Sequence, residues 1–214
     1  MVNMMDEGSW EKIWSNNGDK RDILAKRLQK ESCKSLKRVL KELNISKKSK
    51  IIEVGCGTGD TLKFLRDNGF DNSIGIDISE SSIHLCKKKG FDIGKDIFLM
   101  DGSNTLFKKN SFDVVHSGGL LEHFKDFEPF IREWCRISRK YIIIQQPNHF
   151  SIYSRTLLLS RRVLKKLFSR DFVHEYTYKI SDFSEIFSKF NFTLKLKLDI
   201  NFNQLWLLVY ERIK

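Results

Sequence analysis

The chain has 214 residues, 41% of them hydrophobic, with 12 Gly and only 2 Pro, a composition that excludes an intrinsically disordered or collagen-like chain and suits one globular domain. Its 38 Lys+Arg against 27 Asp+Glu give a net charge of +11, which sets nucleic acid, a membrane surface and an acidic substrate against a merely solvated lysine-rich surface. Cys33, Cys56, Cys86 and Cys135 are isolated, with no C-x-x-C pair and no metal-ligand spacing, so no metal site is expected and a reducing, cytoplasmic setting fits. The first ten residues carry Asp6 and Glu7 and lack the basic and apolar regions of a signal peptide. Apolar runs fall far short of the roughly 18 residues a membrane span needs, so a soluble protein without a transmembrane segment is expected.

In chain order, Ile13, Ile23, Leu24, Leu28, Leu36, Leu40 and Leu43 recur at helical spacing among charges and predict one or two amphipathic N-terminal helices. Strand and helix signals then alternate. Strands are predicted over 51–54, 73–78, 96–100, 112–116 and 141–144, and helices over 61–67, 80–89 and 127–137. The helices stop at Asn68-Gly69 and Gly90, and the fifth strand stops at Pro147. Short, doubly apolar strands joined by helices imply a parallel sheet covered on both faces. The last third departs from that rhythm. Residues 151–170 form a basic amphipathic stretch, Ser181 is the predicted N-cap of a helix to about Phe190, and strands over 192–200 and 204–212 lie close enough to pair only as an antiparallel hairpin.

The segment Glu53-Val54-Gly55-Cys56-Gly57-Thr58-Gly59 falls between the first strand of the sheet and the helix after it. Glycines there let the backbone turn sharply and approach a ligand, and the helix N-terminus behind them suits a carboxylate or phosphate. Asp77 ends the second strand, 18 residues past Gly59, where the acid of a nucleotide fold binds ribose hydroxyls. A dinucleotide fingerprint would want a third Gly at position 60, which is Asp60, so the spacing is G-x-G-x-G behind an acid.

That acid and those glycines resemble the first motif of class I S-adenosylmethionine-dependent methyltransferases. The resemblance continues through Asp77-Ile78, through Asp101-Gly102 after the third strand, and through Ser111-Phe112-Asp113-Val114-Val115 entering the fourth. Leu120-Leu121-Glu122-His123-Phe124, and Ile142-Ile143-Ile144 followed by Pro147-Asn148, are similar to the type 11 branch. It implies an α/β fold, a Rossmann-like, doubly wound, seven-stranded and mostly parallel sheet whose last strand is antiparallel. The chain then divides into cap helices over 1–48, a cofactor half over 49–150, an insertion on the substrate side over 151–180, and the last helix and hairpin over 181–214.

The implied cofactor is S-adenosyl-L-methionine, with S-adenosyl-L-homocysteine as product. Glu53, Gly55, Cys56, Gly57, Thr58 and Gly59 would hold its methionine end, Asp77 and Ile78 its ribose, and Asp101 and Gly102 its adenine. Ser117 and Gly118 would pass beside the methionine moiety, and Trp14 or Trp10, which the resemblance sets against plain helix packing, would close the pocket. His123 is the implied catalytic or substrate-contacting group, set against a structural role. His149, Tyr153, Arg155, His174 and Tyr176 lie where relatives shape the acceptor site. His116 reads instead as a satisfied core residue.

Residues 151–170 carry six positive charges and no acid. Three readings stay open: a lid with a solvated basic back, a basic site for a phosphate- or carboxylate-bearing acceptor, and peripheral contact with a membrane near a lipid acceptor. Nucleic acid is disfavoured. The place after the fourth strand reads His116-Ser117-Gly118-Gly119-Leu120, not the Asn- or Asp-Pro-Pro-aromatic motif of base-nitrogen methylation, and there is no Pro-Cys nucleophile. The expected activity is methyl transfer to an O, N or C centre of a small-molecule or lipid-like, anionic acceptor. The alternative is a chain that binds the cofactor without catalysing, as a sensor or partner subunit, and an RNA methyltransferase ranks below both. No motif sets an oligomeric state. The charge excess is local: 51–150 hold 13 basic and 14 acidic residues, 1–50 hold 13 and 7, and 151–214 hold 12 and 6.

Overall fold

Ile51, Ile52 and Val54 are apolar on both faces of a strand, and they form β1 (Ile51–Val54) at the interior of the sheet, fully buried. The computed structural model describes residues 7–17, 23–151 and 175–213, with helices α1 (Glu7–Asn17) and α2 (Ile23–Glu42) before that strand. Next come α3 (Asp60–Asp67), β2 (Ser73–Asp77), α4 (Glu80–Lys88), β3 (Ile97–Leu99), β4 (Phe112–Gly118), α5 (Glu128–Ile137) and β5 (Ser138–Pro147). The chain ends in α6 (Ile180–Lys189), β6 (Phe192–Ile200) and β7 (Leu205–Arg212).

The seven strands form one sheet in the order β3-β2-β1-β4-β5-β7-β6. Ile51 of β1 lies opposite Ser73 of β2 and Val114 of β4 in parallel register, and β4–β5 and β2–β3 are also parallel. β7 is inserted antiparallel between β5 and β6, with Tyr141 opposite Glu211 and Ile200 opposite Leu205. The expected architecture is therefore present, the reversed last strand included. β4 and β5 run past their apolar cores, to Gly118 and from Ser138, because ladder hydrogen bonds continue where side chains no longer signal burial, as at the exposed Arg139 and Lys140. Ser181 is not the cap of α6. Lys179 holds that place, its N–H donating to the Asp182 carboxylate at 2.8 Å, and Ser181 lies inside the helix.

Side chains alternate across the sheet as its period of two requires. Ile142 and Ile144 of β5 and Leu208 and Tyr210 of β7 join Trp134 of α5 and Phe183 and Phe187 of α6 on one face. Tyr141, Ile143, Leu207 and Val209 meet Leu36, Val39 and Leu40 of α2 on the other. The β6–β7 turn is held onto the β5 exit by Asn148, whose Nδ2 donates to the Asn203 carbonyl at 2.9 Å and whose N–H donates to the Gln204 carbonyl at 2.7 Å. Among the described residues no helix is long and apolar enough to cross a membrane.

Phe187 is fully buried and stacks on Tyr210 with ring centroids 3.9 Å apart. Phe187→Ala is expected to cost about 3–5 kcal/mol of unfolding free energy, read as a lowered urea midpoint with an unchanged slope.

Candidate active site

Strand order reverses about β1, which has β2 on one side and β4 on the other, so the loops leaving β1 and β4 diverge and open a crevice. A cavity of about 570 Å³ fills it. Its floor is the turn 55–58, its sides are Asp77-Ile78, 100–103 and 118–120, and Trp10, Trp14 and Gln29 reach it from the N-terminal helices.

The turn is built for close approach. Gly57 has φ 52°, and a Cβ there would fall 2.9 Å from the Trp14 ring, so glycine is required by both backbone and space. Gly102 is required for a different reason: a Cβ would stand 2.4 Å from Val54 Cγ1. The turn is tied to β2 by Asp77, whose Oδ2 accepts the Gly57 N–H at 2.8 Å and whose Oδ1 accepts the Ser79 N–H at 3.0 Å. Burial raises the pKa of this carboxyl, and the backbone N–H groups oppose the rise. Asp101 is exposed and is set by Ser103, whose N–H and hydroxyl both donate to Oδ1 at 2.8 Å.

Glu53 is buried beneath the turn, and its Oε2 has no hydrogen-bond partner among the described residues. Burial pushes its carboxyl up to about 8, opposed by the Thr61 side chain. Thr61 Oγ1 in turn accepts from Gln29 Nε2 at 3.0 Å, which brings α2 into the wall. His116 lies behind, Nδ1 3.9 Å from Glu53 Oε1. It is buried as expected but is not satisfied: among the described residues neither ring nitrogen has a hydrogen-bond partner, and burial lowers its pKa to about 4, so it is neutral.

Of the residues singled out from the sequence, Glu53, Gly55, Cys56, Gly57, Thr58, Asp77, Ile78, Asp101, Gly102, Gly118 and Trp14 line this cavity. Gly59 does not; it precedes α3 in a left-handed conformation. Ser117 turns away, its hydroxyl donating to the Val54 carbonyl at 2.9 Å and linking β4 to β1. His123 stands outside the cavity wall, edge-on to Trp10 at 5.1 Å and with Nε2 4.0 Å from Glu122 Oε1. His149 Nε2 lies 3.7 Å from Glu175 Oε2, and the Tyr176 N–H donates to the Glu122 carbonyl at 2.6 Å; neither residue lines the cavity. Tyr153, Arg155 and His174, with nearly all of 151–170, lie outside the described residues.

Sequence reasoning missed Gln29, Thr61, Phe124 and Phe130 in the lining. Gln29 carried a faint signal, an uncharged polar residue beside Leu28 in a lysine-rich helix; Phe124 stands in the sequence only as part of the segment after the fourth strand and Phe130 only as part of a predicted helix. It also missed Glu122, which is buried, its Oε2 without a hydrogen-bond partner among the described residues and its carboxyl pushed up to about 8 by that burial.

Residues 52–143 match the family model described as a methyltransferase domain, of the type 11 branch. Among solved structures, magnesium protoporphyrin IX methyltransferase from Synechocystis PCC 6803 with bound S-adenosylhomocysteine has a TM-score of 0.74 at 16% identity, covering 97% of this chain and 100% of that one. An S-adenosylmethionine-dependent methyltransferase from Thermotoga maritima gives 0.69 at 16% identity, over 95% of this chain and 98% of that one. Another from Methanosarcina mazei gives 0.62 at 16% identity, over 79% and 94%. No curated protein matches the sequence. Residues 52–143 therefore resemble a methyltransferase domain, and the chain shares the α/β fold of these solved methyltransferases, with its mostly parallel seven-stranded sheet and reversed last strand.

The Glu53 carboxyl has a testable signature in the ligand-free protein. The folded chain keeps it protonated to about 8 while the unfolded chain releases the proton at the ordinary 4.5, so stability from this group is full below about 4.5 and is lost as pH rises towards 8. Glu53→Gln is expected to flatten the fall in urea midpoint between pH 5 and pH 8.

Proposed function

We propose that this chain transfers a methyl group from S-adenosyl-L-methionine to an O, N or C centre of a small-molecule or lipid-like acceptor that bears negative charge. The observation that carries the cofactor half is Glu53 Oε2, a buried acceptor without a hydrogen-bond partner among the described residues, in the wall of a cavity that Asp77 and Asp101 also line. A ligand with an ammonium group, a ribose and an adenine would meet three carboxyl groups there, and its carboxylate would suit the glycine turn before α3. When bound, the cofactor supplies an electrophilic methyl on a sulfonium, a good leaving group.

The protein's own part is placement. Asp77 would hold the ribose, Asp101 and Gly102 the adenine, and Glu53 the ammonium end, while the backbone at Gly118, which lines the cavity, would pass beside the methionine moiety. In-line displacement gains most from a fixed geometry of the reacting atoms. His123 is the candidate acceptor contact, beside Trp10 and Glu122. The preference for an anionic acceptor is supported by charge distribution: 1–50 and 151–214 each carry a net +6, against −1 for 51–150.

Calorimetry on cofactor-stripped protein should show S-adenosylhomocysteine binding. Asp77→Ala should weaken it by roughly 10- to 100-fold, the loss of charge-assisted hydrogen bonds; unchanged affinity would remove the ribose assignment. Turnover should then be found among carboxylate- or phosphate-bearing acceptors and fall with their neutral esters. A preference for neutral acceptors would refute the anionic reading, and binding without turnover on any acceptor would favour a non-catalytic role.

A further inference from the structure

The N-terminal helix reaches the cavity through Trp10 and Trp14, but it has little of its own to hold it there. Its 11 residues include Gly8, Ser9, Asn16 and Asn17, and an isolated helix shorter than about 12–15 residues is marginal in water. Among the described side chains its polar tie to the rest of the fold is Glu11, one residue from Trp10 and three from Trp14. Glu11 Oε2 accepts the Ser79 hydroxyl at 2.7 Å and the Ser81 N–H at 3.1 Å, and Oε1 accepts the Ser81 hydroxyl. These donors sit at the N-terminus of α4, the end of a helix that favours a carboxylate, and they hold the Glu11 pKa below its ordinary value.

The anchor point is also the back of the ribose site. Ser79 caps α4, its Oγ accepting the Ser82 N–H at 3.2 Å, while its own N–H donates to Asp77 Oδ1. With the helix held there, the Trp14 ring lies against Gly57, and Trp10, only 9% exposed, meets His123 edge-on. Both indoles line the cavity, whereas Glu11 does not touch it.

We propose that Glu11 is a positioning residue, a latch that holds α1 across the cofactor cavity and sets how long the cofactor or its product stays bound. The proposal rests on reading the cavity as the S-adenosylmethionine site. The two indoles form a wall the ligand must pass, and the wall lifts only when the carboxylate leaves its three donors.

The dissociation rate of S-adenosylhomocysteine, followed by stopped-flow displacement on the full chain, tests this. Glu11→Ala should raise that rate about tenfold, equivalent to about 1.4 kcal/mol, with Glu11→Gln intermediate because one oxygen acceptor remains. Ser81→Ala should raise it too, and should add nothing in the Glu11→Ala background, since its hydroxyl acts through Glu11. Amide hydrogen exchange over 7–17 should quicken in the same variants, which packing elsewhere would not produce. An unchanged dissociation rate in Ser81→Ala or Glu11→Ala, or fully additive effects, overturns the latch while leaving the cofactor site standing. A wild-type chain that binds no S-adenosylhomocysteine overturns both. Were Glu11→Ala not to fold, Ser81→Ala carries the same rate and exchange test alone.

Discussion

One carboxylate holds the working end of this fold together. Asp77 closes β2 and spends one oxygen on the Gly57 N–H and the other on the Ser79 N–H, so the glycine turn, the end of the second strand and the cap of α4 are fixed to the same side chain. A turn with three glycines has much conformational freedom to lose, and a buried carboxylate is costly without donors; each solves the other's problem. Through Ser79 the same point reaches Glu11 and hence the N-terminal helix. The cavity depends on this junction because three of its walls meet there.

Behind the junction the chain buries groups that prefer water. Glu53 and Glu122 are both raised to about 8 by burial, and His116 is lowered to about 4. In each case desolvation is the largest cause, and its direction makes all three neutral near neutral pH in the ligand-free protein. A neutral Glu53 beneath an open cavity is a poised acceptor, since a cationic group arriving there would favour the ionised form and supply the missing partner of Oε2. Glu122 lies outside the cavity lining, beside His123 and under the Tyr176 N–H, with Glu175 in turn facing His149. The two buried carboxyl groups thus sit in different surroundings, Glu53 in the cavity wall and Glu122 among His123, Glu175 and the Tyr176 backbone.

The alternation of strand and helix signals, the Glu53-to-Gly59 motif and the acids at 77 and 101 were all legible before any coordinates, because each is encoded locally. A buried strand must be apolar on both faces, a tight turn beside a ligand must be glycine, and an acid at a strand end has few structural reasons to be there. What could not be read was which residues converge from far apart. Gln29 reaches the wall from α2 and lies 32 residues from Thr61, its hydrogen-bond partner, and Glu11 is 68 residues from Ser79. Neither separation leaves a periodicity or a motif. Ser117, near the end of β4, shows another such contact: its hydroxyl donates to the Val54 carbonyl 63 residues away, a tie between β4 and β1 that no local pattern encodes.

The sequence by itself determined the class of fold, the cofactor motif and the concentration of positive charge outside 51–150, since these follow from residue type and spacing along the chain. The tertiary structure alone decided that α1 is fastened over the cavity, that Glu53 and Glu122 are desolvated, and that His123 packs edge-on against Trp10. Burial and contact are properties of what surrounds a side chain, and those surroundings come from segments that folding brings together across long stretches of sequence.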